Sequence, residues 1–300
     1  MRIGIPQGLL YFRYASLWKE CLSVMGTEVV SSPETTDNIL ADGIKHSVCD
    51  ICLPVKAFFG HVLALKDNVD YLFIPRFIRI EPDAYLCPKF LGLPDMVQAA
   101  IRNLPPVIDT EFNIKEKTVM TFWQEVEASL KRRKNSLLSA NMNFNGSMPE
   151  SISFTPNNQD KKLHIGMAGR PYLVLDRCLN KGIIRYINKL GIIVTYHTPE
   201  KNYISDTMSM LPKWVYWSMG KEVVSSVRWM LENNDIDGII LLTNAGCGPD
   251  SFVAELIEHS LPVGKKPYMT LCIDEHTSDT GLQTRIEAFI DMVIRNSKSL

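Results

Sequence analysis

The sequence predicts an α/β protein built from two wound domains with parallel sheets. Short apolar runs alternate with longer stretches of helical periodicity through most of the 300 residues, and this alternation is typical of βαβ units. A segment rich in Ser, Asn, Pro and Met interrupts the alternation at 135–162, as an interdomain linker does. We therefore predict an N-terminal α/β domain at 1–134, a linker at 135–162 and a C-terminal α/β domain at 163–300.

In the first domain, short apolar runs bounded by Gly, Pro or polar residues predict strands, and apolar residues at helical spacing predict helices. The predicted strands are Arg2–Ile5, Glu28–Val30, Tyr71–Pro75 and Val107–Ile108. The predicted helices are Leu9–Met25, Asn38–Val48, Pro54–Lys66, Leu93–Asn103 and Lys115–Lys131.

The second domain repeats the pattern. The predicted strands are Leu163–Ala168, Ile192–Thr195, Ile239–Leu242 and Pro267–Ile273. The predicted helices are Asp176–Leu190, Lys213–Asn233 and Thr280–Ile294. One more helix follows the third strand, and either Asp250 or Ser251 caps it in this prediction.

Composition excludes several classes of protein. Apolar residues make up 46% of the chain, and 32 basic residues face 33 acidic ones, so there is no basic field of the kind that binds nucleic acid. The apolar runs are too short to span a bilayer, and the first residues lack the long apolar core of a secretory signal. We expect a cytoplasmic protein that binds neither nucleic acid nor membranes.

Three of the seven cysteines lie in predicted strand-to-helix turns, the edge where α/β sheets keep their ligand sites. They are Cys52, Cys87 and Cys247, and Gly246 and Gly248 flank the last of them. Thiolates are the ligands that hold most iron–sulfur clusters. Helix N-termini and glycine-rich turns stabilise their negative charge.

The remaining cysteines carry weaker signals. Cys21, Cys178 and Cys272 fall within predicted helices or a strand, where a cysteine is usually a small buried hydrophobe. Cys49 and Cys52 form one C-x-x-C motif, so a redox dithiol is an alternative. Tetrahedral zinc fits the same residue types as well as an iron–sulfur cluster does.

Charged residues near the cysteines offer supporting roles. Lys56 and Lys89 follow Cys52 and Cys87 by four and two residues, and each would offset part of the negative charge of a cluster. Arg170 follows a predicted strand and could receive a phosphate.

Other polar and aromatic residues suggest less. Glu275 and His276 end a strand and could act as acid and base, but a solvated helix entry explains them better in the absence of a partner. Trp214, Tyr216 and Trp217 are expected to pack between layers. None of these residues is assigned a catalytic role.

Seven separated segments resemble, in order, the activase-related proteins of the 2-hydroxyacyl-CoA dehydratase system, also called CoA protein activases. The segments are GIPQGLLYF, CLPVKAFFGHV, YLFIPR, YLCPKFLGLPDM, YWSMGKEV, LLTNAGCGPDSFVAELIE and CIDEHTSDTGLQTRIEAFIDM. They cover most of the chain except the linker.

The resemblance implies flavodoxin- or Rossmann-like wound domains with the site between them. It also implies a [4Fe–4S] cluster for low-potential electron transfer or reductive activation. Cys52, Cys87 and Cys247 match the cysteines of the family motifs, and a non-cysteine ligand or a substrate would occupy the fourth iron site. Gly246, Gly248 and Lys89 would then surround the cluster and tune its potential.

The resemblance also implies partners. They are an activase or a second dehydratase-like subunit, with acyl-CoA or another small molecule as substrate. Longer relatives carry an ATP-hydrolysing domain, but this chain has no phosphate-binding loop, so ATP hydrolysis is not expected. A non-catalytic scaffold subunit and a zinc-stabilised α/β protein are the alternative functions.

Overall fold

The computed structural model describes residues 1–130, 150–156 and 163–297. The chain forms two compact units. The first comprises Met1–Ser147 with Tyr216–Ser218, and the second comprises Met148–Val215 with Met219–Leu300. Most of the predicted linker at 135–162 lies outside the described residues, and its described part contains a strand at Ser151–Phe154.

The first unit is built on a parallel four-stranded sheet with the order β2-β1-β3-β5. A separate two-stranded parallel sheet pairs β4 with β6. The strands are β1 (Arg2–Ile5), β2 (Glu28–Ser31), β3 (Tyr71–Phe73), β4 (Arg76–Arg79), β5 (Val107–Ile108) and β6 (Glu111–Asn113). The helices are α1 (Tyr11–Val24), α2 (Asp37–His46), α3 (Leu53–Leu65), α4 (Pro88–Ala100) and α5 (Val119–Ser129).

The second unit is built on a five-stranded sheet with the order β11-β10-β8-β9-β7. All neighbours are parallel except β7, which pairs antiparallel with β9 at the edge. The strands are β7 (Ser151–Phe154), β8 (His164–Gly169), β9 (Ile193–His197), β10 (Gly238–Asn244) and β11 (Tyr268–Ile273). The helices are α6 (Pro171–Val174), α7 (Ile183–Lys189), α8 (Lys201–Met210), α9 (Ser218–Glu232), α10 (Gly248–Ser260) and α11 (Asp279–Ser297).

The predicted fold class is confirmed, because both main sheets consist mainly of parallel strands joined by helices. Each sheet also reverses its winding once. In the first unit the chain runs from β1 to β2 and then crosses to β3 on the other side of β1. In the second unit it runs from β8 to β9 and then crosses to β10. The β1/β3 and β8/β10 pairs are therefore the switch points, where wound sheets bind ligands beyond the carboxyl ends of the strands.

The two units have different cores. In the first, aromatic rings pack face to face, with Phe73 stacked on Trp123 at 5.7 Å and Trp18 on Phe77 at 6.1 Å between ring centroids. In the second, Val, Ile and Leu side chains dominate the buried cluster around β10 and α9. Burial of this apolar surface is the main favourable term in the folding of each unit.

Helices α2 and α3 approach each other more closely than side chains allow. A Cβ atom built on Gly60 would lie 1.8 Å from the Ile39 carbonyl oxygen, and one on Gly43 would lie 2.0 Å from the Lys56 carbonyl oxygen. Two glycines on facing helices therefore bring the backbones into direct contact.

His61 holds together the turns that follow β1 and β2. It is fully buried, and its Nδ1 and Nε2 atoms lie 2.9 Å from the hydroxyls of Ser32 and Thr35. The Ser32 hydroxyl also accepts a hydrogen bond from the backbone N–H of Gln7 at 2.8 Å. Burial lowers the pKa of His61 to about 4, so the ring is neutral at physiological pH.

One predicted helix of the second unit is shorter than expected. The sequence predicted a helix over Asp176–Leu190, but α7 begins at Ile183. The Asp176 carboxylate accepts hydrogen bonds from the backbone N–H groups of Cys178 and Leu179 at 2.9 and 3.0 Å. This local bonding competes with the helix.

A second predicted helix also begins late. Helix α9 starts at Ser218 rather than at Lys213. The side chains of Trp214 and Tyr216, expected to pack between layers, are 45% and 60% exposed. None of the helices in the described ranges combines the length and apolar character of a membrane span.

The first prediction concerns the glycine contact. Gly60→Ala should destabilise the protein by about 1–3 kcal/mol or more, because the new methyl group forces α2 and α3 apart. The measurement is urea-induced unfolding followed by fluorescence of the buried Trp18 and Trp123. Gly92→Ala in α4 is the control, since its Cβ would meet nothing within 4 Å. It should stabilise the helix by about 0.5–1 kcal/mol. Equal effects of the two substitutions would contradict the contact.

The second prediction concerns pH. Because the pKa of His61 is about 4 in the folded chain against 6.5 for the ordinary side chain, the unfolded chain takes up a proton between these values and the folded chain does not. The contribution of His61 to stability is therefore full above pH 6.5 and is lost as the pH falls toward 4, by about 3 kcal/mol. Burial also lowers the pKa of His197 to about 4, so His197 adds to the same decline. His61→Gln should make the dependence less steep by the contribution of His61. His276→Gln, at a side chain that is 86% exposed, should leave it unchanged, and a His61→Gln slope equal to that of the wild type would refute the assignment.

Candidate functional site

The three cysteines singled out by the sequence share one structural position. Cys52, Cys87 and Cys247 are the N-cap residues of α3, α4 and α10. Each helix has a proline in its first or second position, where a proline favours the start of a helix. Each of the three cysteines is partly exposed.

This position has chemical consequences for the thiols. The first N–H groups of a helix have no partner within the helix, and the aligned peptide dipoles make the N-terminus positive. A thiol at a helix N-terminus is a better thiolate and a better metal ligand than an ordinary one. The three cysteines thus combine partial access with a position at the start of a helix.

The local surroundings of Cys52 differ from the prediction. It was expected in a strand-to-helix turn, but it lies between two helices, because α2 follows β2 and α3 follows α2 before the chain reaches β3. Ile51 is buried beside Cys52, whereas Cys49 at the other end of the C-x-x-C motif is exposed.

Cys247 follows β10 directly, as predicted. Cys87 lies between a strand and a helix, as predicted, but the strand before it is β4 (Arg76–Arg79) and not the predicted strand at Tyr71–Pro75. Cys247 lies in the loop beyond the carboxyl end of β10, next to the β8/β10 switch point. Gly246 has a φ of 69°, a conformation that favours glycine. A Cβ on either Gly246 or Gly248 would meet nothing within 4 Å, so there is free space on both sides of the cysteine.

Helix α10 begins earlier than predicted, at Gly248 rather than after Asp250 or Ser251. Asp250 therefore lies in the first turn and is buried. Its carboxylate accepts a hydrogen bond from Nε of Arg170 at 2.7 Å. Arg170 is itself buried and engaged by Asp250, which does not favour its predicted role as a phosphate receptor. The sequence offered no signal for this pair, whose members are 80 positions apart.

The two lysines near the first-unit cysteines have different settings. Lys56 lies one turn into α3 and is 3% exposed. Lys89 is the second residue of α4 and is partly exposed. Both lie close in sequence to a helix start that a cysteine caps.

An apolar cavity of about 20 Å³ lies at the β1/β3 switch point of the first unit. Its wall includes Pro6 and Gly8 beyond β1, Pro75 beyond β3, Phe58 of α3 and Phe90 of α4. The helices that Cys52 and Cys87 cap therefore meet beyond the carboxyl ends of the central strands. The cavity has room for about one water molecule.

The surroundings of three other cysteines differ in how well they would suit a metal ligand. Burial raises the pKa of Cys21 to about 12, with a further contribution from the charge of Glu20, so its thiol is inert. Cys178 lies in a turn and is partly exposed. Cys272 was expected to be buried but is exposed, because β11 is the edge strand of its sheet.

Glu275 and His276 lie in the turn after β11. His276 is largely solvated, and its Nε2 lies 3.9 Å from the Glu275 carboxylate. The backbone N–H of His276 donates to the Asp274 carboxylate at 3.0 Å. This geometry favours a solvated turn over an acid–base pair.

The donor set fits an iron–sulfur cluster in its chemistry, since three partly accessible thiols each cap a helix and open space adjoins Cys247. Cys52 and Cys87 belong to the first unit and Cys247 to the second. Within residues 1–130, 150–156 and 163–297, no group of three or more His, Cys, Asp or Glu side chains is close enough to hold a metal ion.

Two family models match this chain. Residues 179–293 match the model described as 2-hydroxyglutaryl-CoA dehydratase, D-component. Residues 2–198 match the model described as CoA enzyme activase uncharacterised domain. A comparison with curated proteins found no match. Because the second of these family models covers about two thirds of the sequence, from the first strand of one unit to the third strand of the other, the chain belongs to the CoA enzyme activase domain family of the 2-hydroxyacyl-CoA dehydratase system.

Proposed function

We propose that the chain is an iron–sulfur component of a 2-hydroxyacyl-CoA dehydratase system that binds a [4Fe–4S] cluster through Cys52, Cys87 and Cys247. The observation that carries the proposal is the shared position of these cysteines. Each is the N-cap of a helix and each is partly exposed. A cluster bound there would supply a one-electron redox centre of low potential.

The surrounding residues suit this role. Gly246 and Gly248 leave the space beside Cys247 free of side chains, and Lys89 brings a positive charge into the first turn that Cys87 caps. The helix N-termini add partial positive charge at each thiolate. Three cysteines leave one iron of a single cubane without a cysteine ligand, which would open that iron to another ligand or to a substrate.

The family membership supports a partner and a substrate class for this proposal. The chain would receive electrons from an activase, or pass them to a second dehydratase-like subunit, and so assist the reductive activation of an acyl-CoA. A purely structural subunit would bind the same partner whether or not its cysteines were intact. Anaerobic pull-down with the activase, comparing wild type with Cys247→Ser before and after reconstitution, separates these two functions.

The third prediction tests the ligands. After anaerobic purification and reconstitution, Cys52→Ser, Cys87→Ser and Cys247→Ser should each retain iron at least about tenfold more weakly than the wild type, since losing even a supporting residue of a metal site costs about 10–100-fold in affinity. Iron and sulfide assays and electron paramagnetic resonance (EPR) measure the effect.

Cys178→Ser is the matched control, because Cys178 is a partly exposed cysteine that caps no helix. It should leave iron and sulfide contents unchanged. Wild-type protein without iron and sulfide after reconstitution would overturn the proposal. Stoichiometric zinc without sulfide would replace it with a structural zinc site.

The fourth prediction concerns Lys89. Lys89→Gln should lower the reduction potential of the cluster without removing iron, because a positive charge nearby favours the more negative reduced state. The potential is measured by EPR-monitored redox titration. Lys115→Gln, at an exposed lysine of the same unit, should leave the potential unchanged. An unaltered potential in Lys89→Gln would remove this residue from the site.

A further inference from the structure

A buried ion pair lies under the loop that carries Cys247. Arg170 follows β8, Asp250 lies in the first turn of α10, and the atoms Nε and Oδ1 are 2.7 Å apart. Their side chains are 5% and 6% exposed. Because β8 and β10 are neighbours, with Gly169 beside Leu242, the pair spans the switch point of the second unit.

Asp250 connects both ends of this loop. Its Oδ2 atom accepts a hydrogen bond from the backbone N–H of Asn244, where β10 ends, at 3.4 Å. The backbone N–H of Ser251 bonds to the Cys247 carbonyl oxygen at 3.0 Å, which sets the first turn of α10. The carboxylate thus ties the start of the loop to its end, and Arg170 holds the carboxylate.

Stability alone does not explain a buried pair at this place. Removing two charges from water is costly, and replacing such a pair with apolar residues is often neutral or stabilising. Burial lowers the pKa of Arg170, but the charges of Asp250, Tyr172 and Cys247 outweigh this and raise it above the ordinary value. An arginine side chain is effectively always protonated in proteins, so a positive charge lies beside the carboxylate that joins the two ends of the Cys247 loop.

We propose that Arg170 is a positioning residue, which fixes the Cys247 loop through Asp250 and sets a permanent positive charge beside the metal site. The inference rests on the proposed function, because it concerns a cluster bound at Cys247. The charge of Arg170 opposes the charge that the cluster gains on reduction, and Asp250 offsets part of that effect. Charge around the sulfurs is one of the terms that set the potential of a cluster.

The test uses the reconstituted protein and two substitutions. One of them removes a positive charge and the other removes a negative charge. Arg170→Gln should shift the reduction potential to a more negative value, and Asp250→Asn should shift it to a more positive value. Both should release iron to a chelator about tenfold faster than the wild type, because both remove the link across the loop. Potentials come from EPR-monitored titration, and iron release comes from absorbance.

Two further variants serve as controls. Arg170→Lys keeps the positive charge but lacks the planar guanidinium group that bonds to Asp250. The reduction potential of the cluster should therefore stay near the wild-type value, while iron release becomes faster. Arg228→Gln removes ion pairs to Asp206 and Glu232 in the same unit and should change neither quantity. If Arg170→Gln does not fold, Asp250→Asn and Arg170→Lys still decide the question.

The outcomes separate this inference from the proposed function. If the wild type binds a cluster but the potential is the same in Arg170→Gln, Asp250→Asn and the wild type, the inference fails and the proposed function stands. Shifts in the same direction for both substitutions would indicate general loosening and would also overturn it. A wild type without iron and sulfide would overturn both proposals.

Discussion

The unpaired N–H groups at the start of a helix are the constraint on which this site depends. Such groups need a hydrogen-bond acceptor or a negative charge nearby. In the described part of the chain, a cysteine is the N-cap residue of three helices. Proline at the first or second position presets the backbone of each first turn. The wound topology adds a second condition, since it brings helix starts to the carboxyl ends of parallel strands in each unit. The thiols at these three points are partly exposed before any ligand arrives.

Much of the fold could be predicted from local pattern. The alternation of apolar runs with helical stretches was enough for the fold class, and Pro54 marked the start of α3. The predictions were wrong where a side chain forms hydrogen bonds with the nearby backbone and where a strand lies at the edge of its sheet. The Asp176 carboxylate replaces the predicted first turns of a helix, and Cys272 is exposed because its strand forms an edge.

The candidate site was predictable only in part. Cysteine followed within two positions by proline is a local signal, and it identifies all three N-caps. The helical pair α2 and α3 before β3 was predicted, but the contact of Gly60 with Ile39 has no such signal, because it depends on how distant backbones meet. The pair of Arg170 and Asp250 is the clearest case. Each residue alone suggested a surface role, a phosphate contact or a helix cap, and only their proximity across β8 and β10 shows a buried bond.

The contrast between the two cores has an optical consequence. Stacked and edge-on rings, among them Trp18, Phe73 and Trp123, fill the first unit, while the buried cluster around β10 is mainly aliphatic. Fixed, asymmetric packing of aromatic rings produces near-ultraviolet circular dichroism, a signal that is lost when packing loosens. The second unit adds two indoles. Trp229 stacks on His197 at 3.8 Å, and Trp214 is 45% exposed. The near-ultraviolet spectrum of this protein therefore reports mainly on the packing of the first unit.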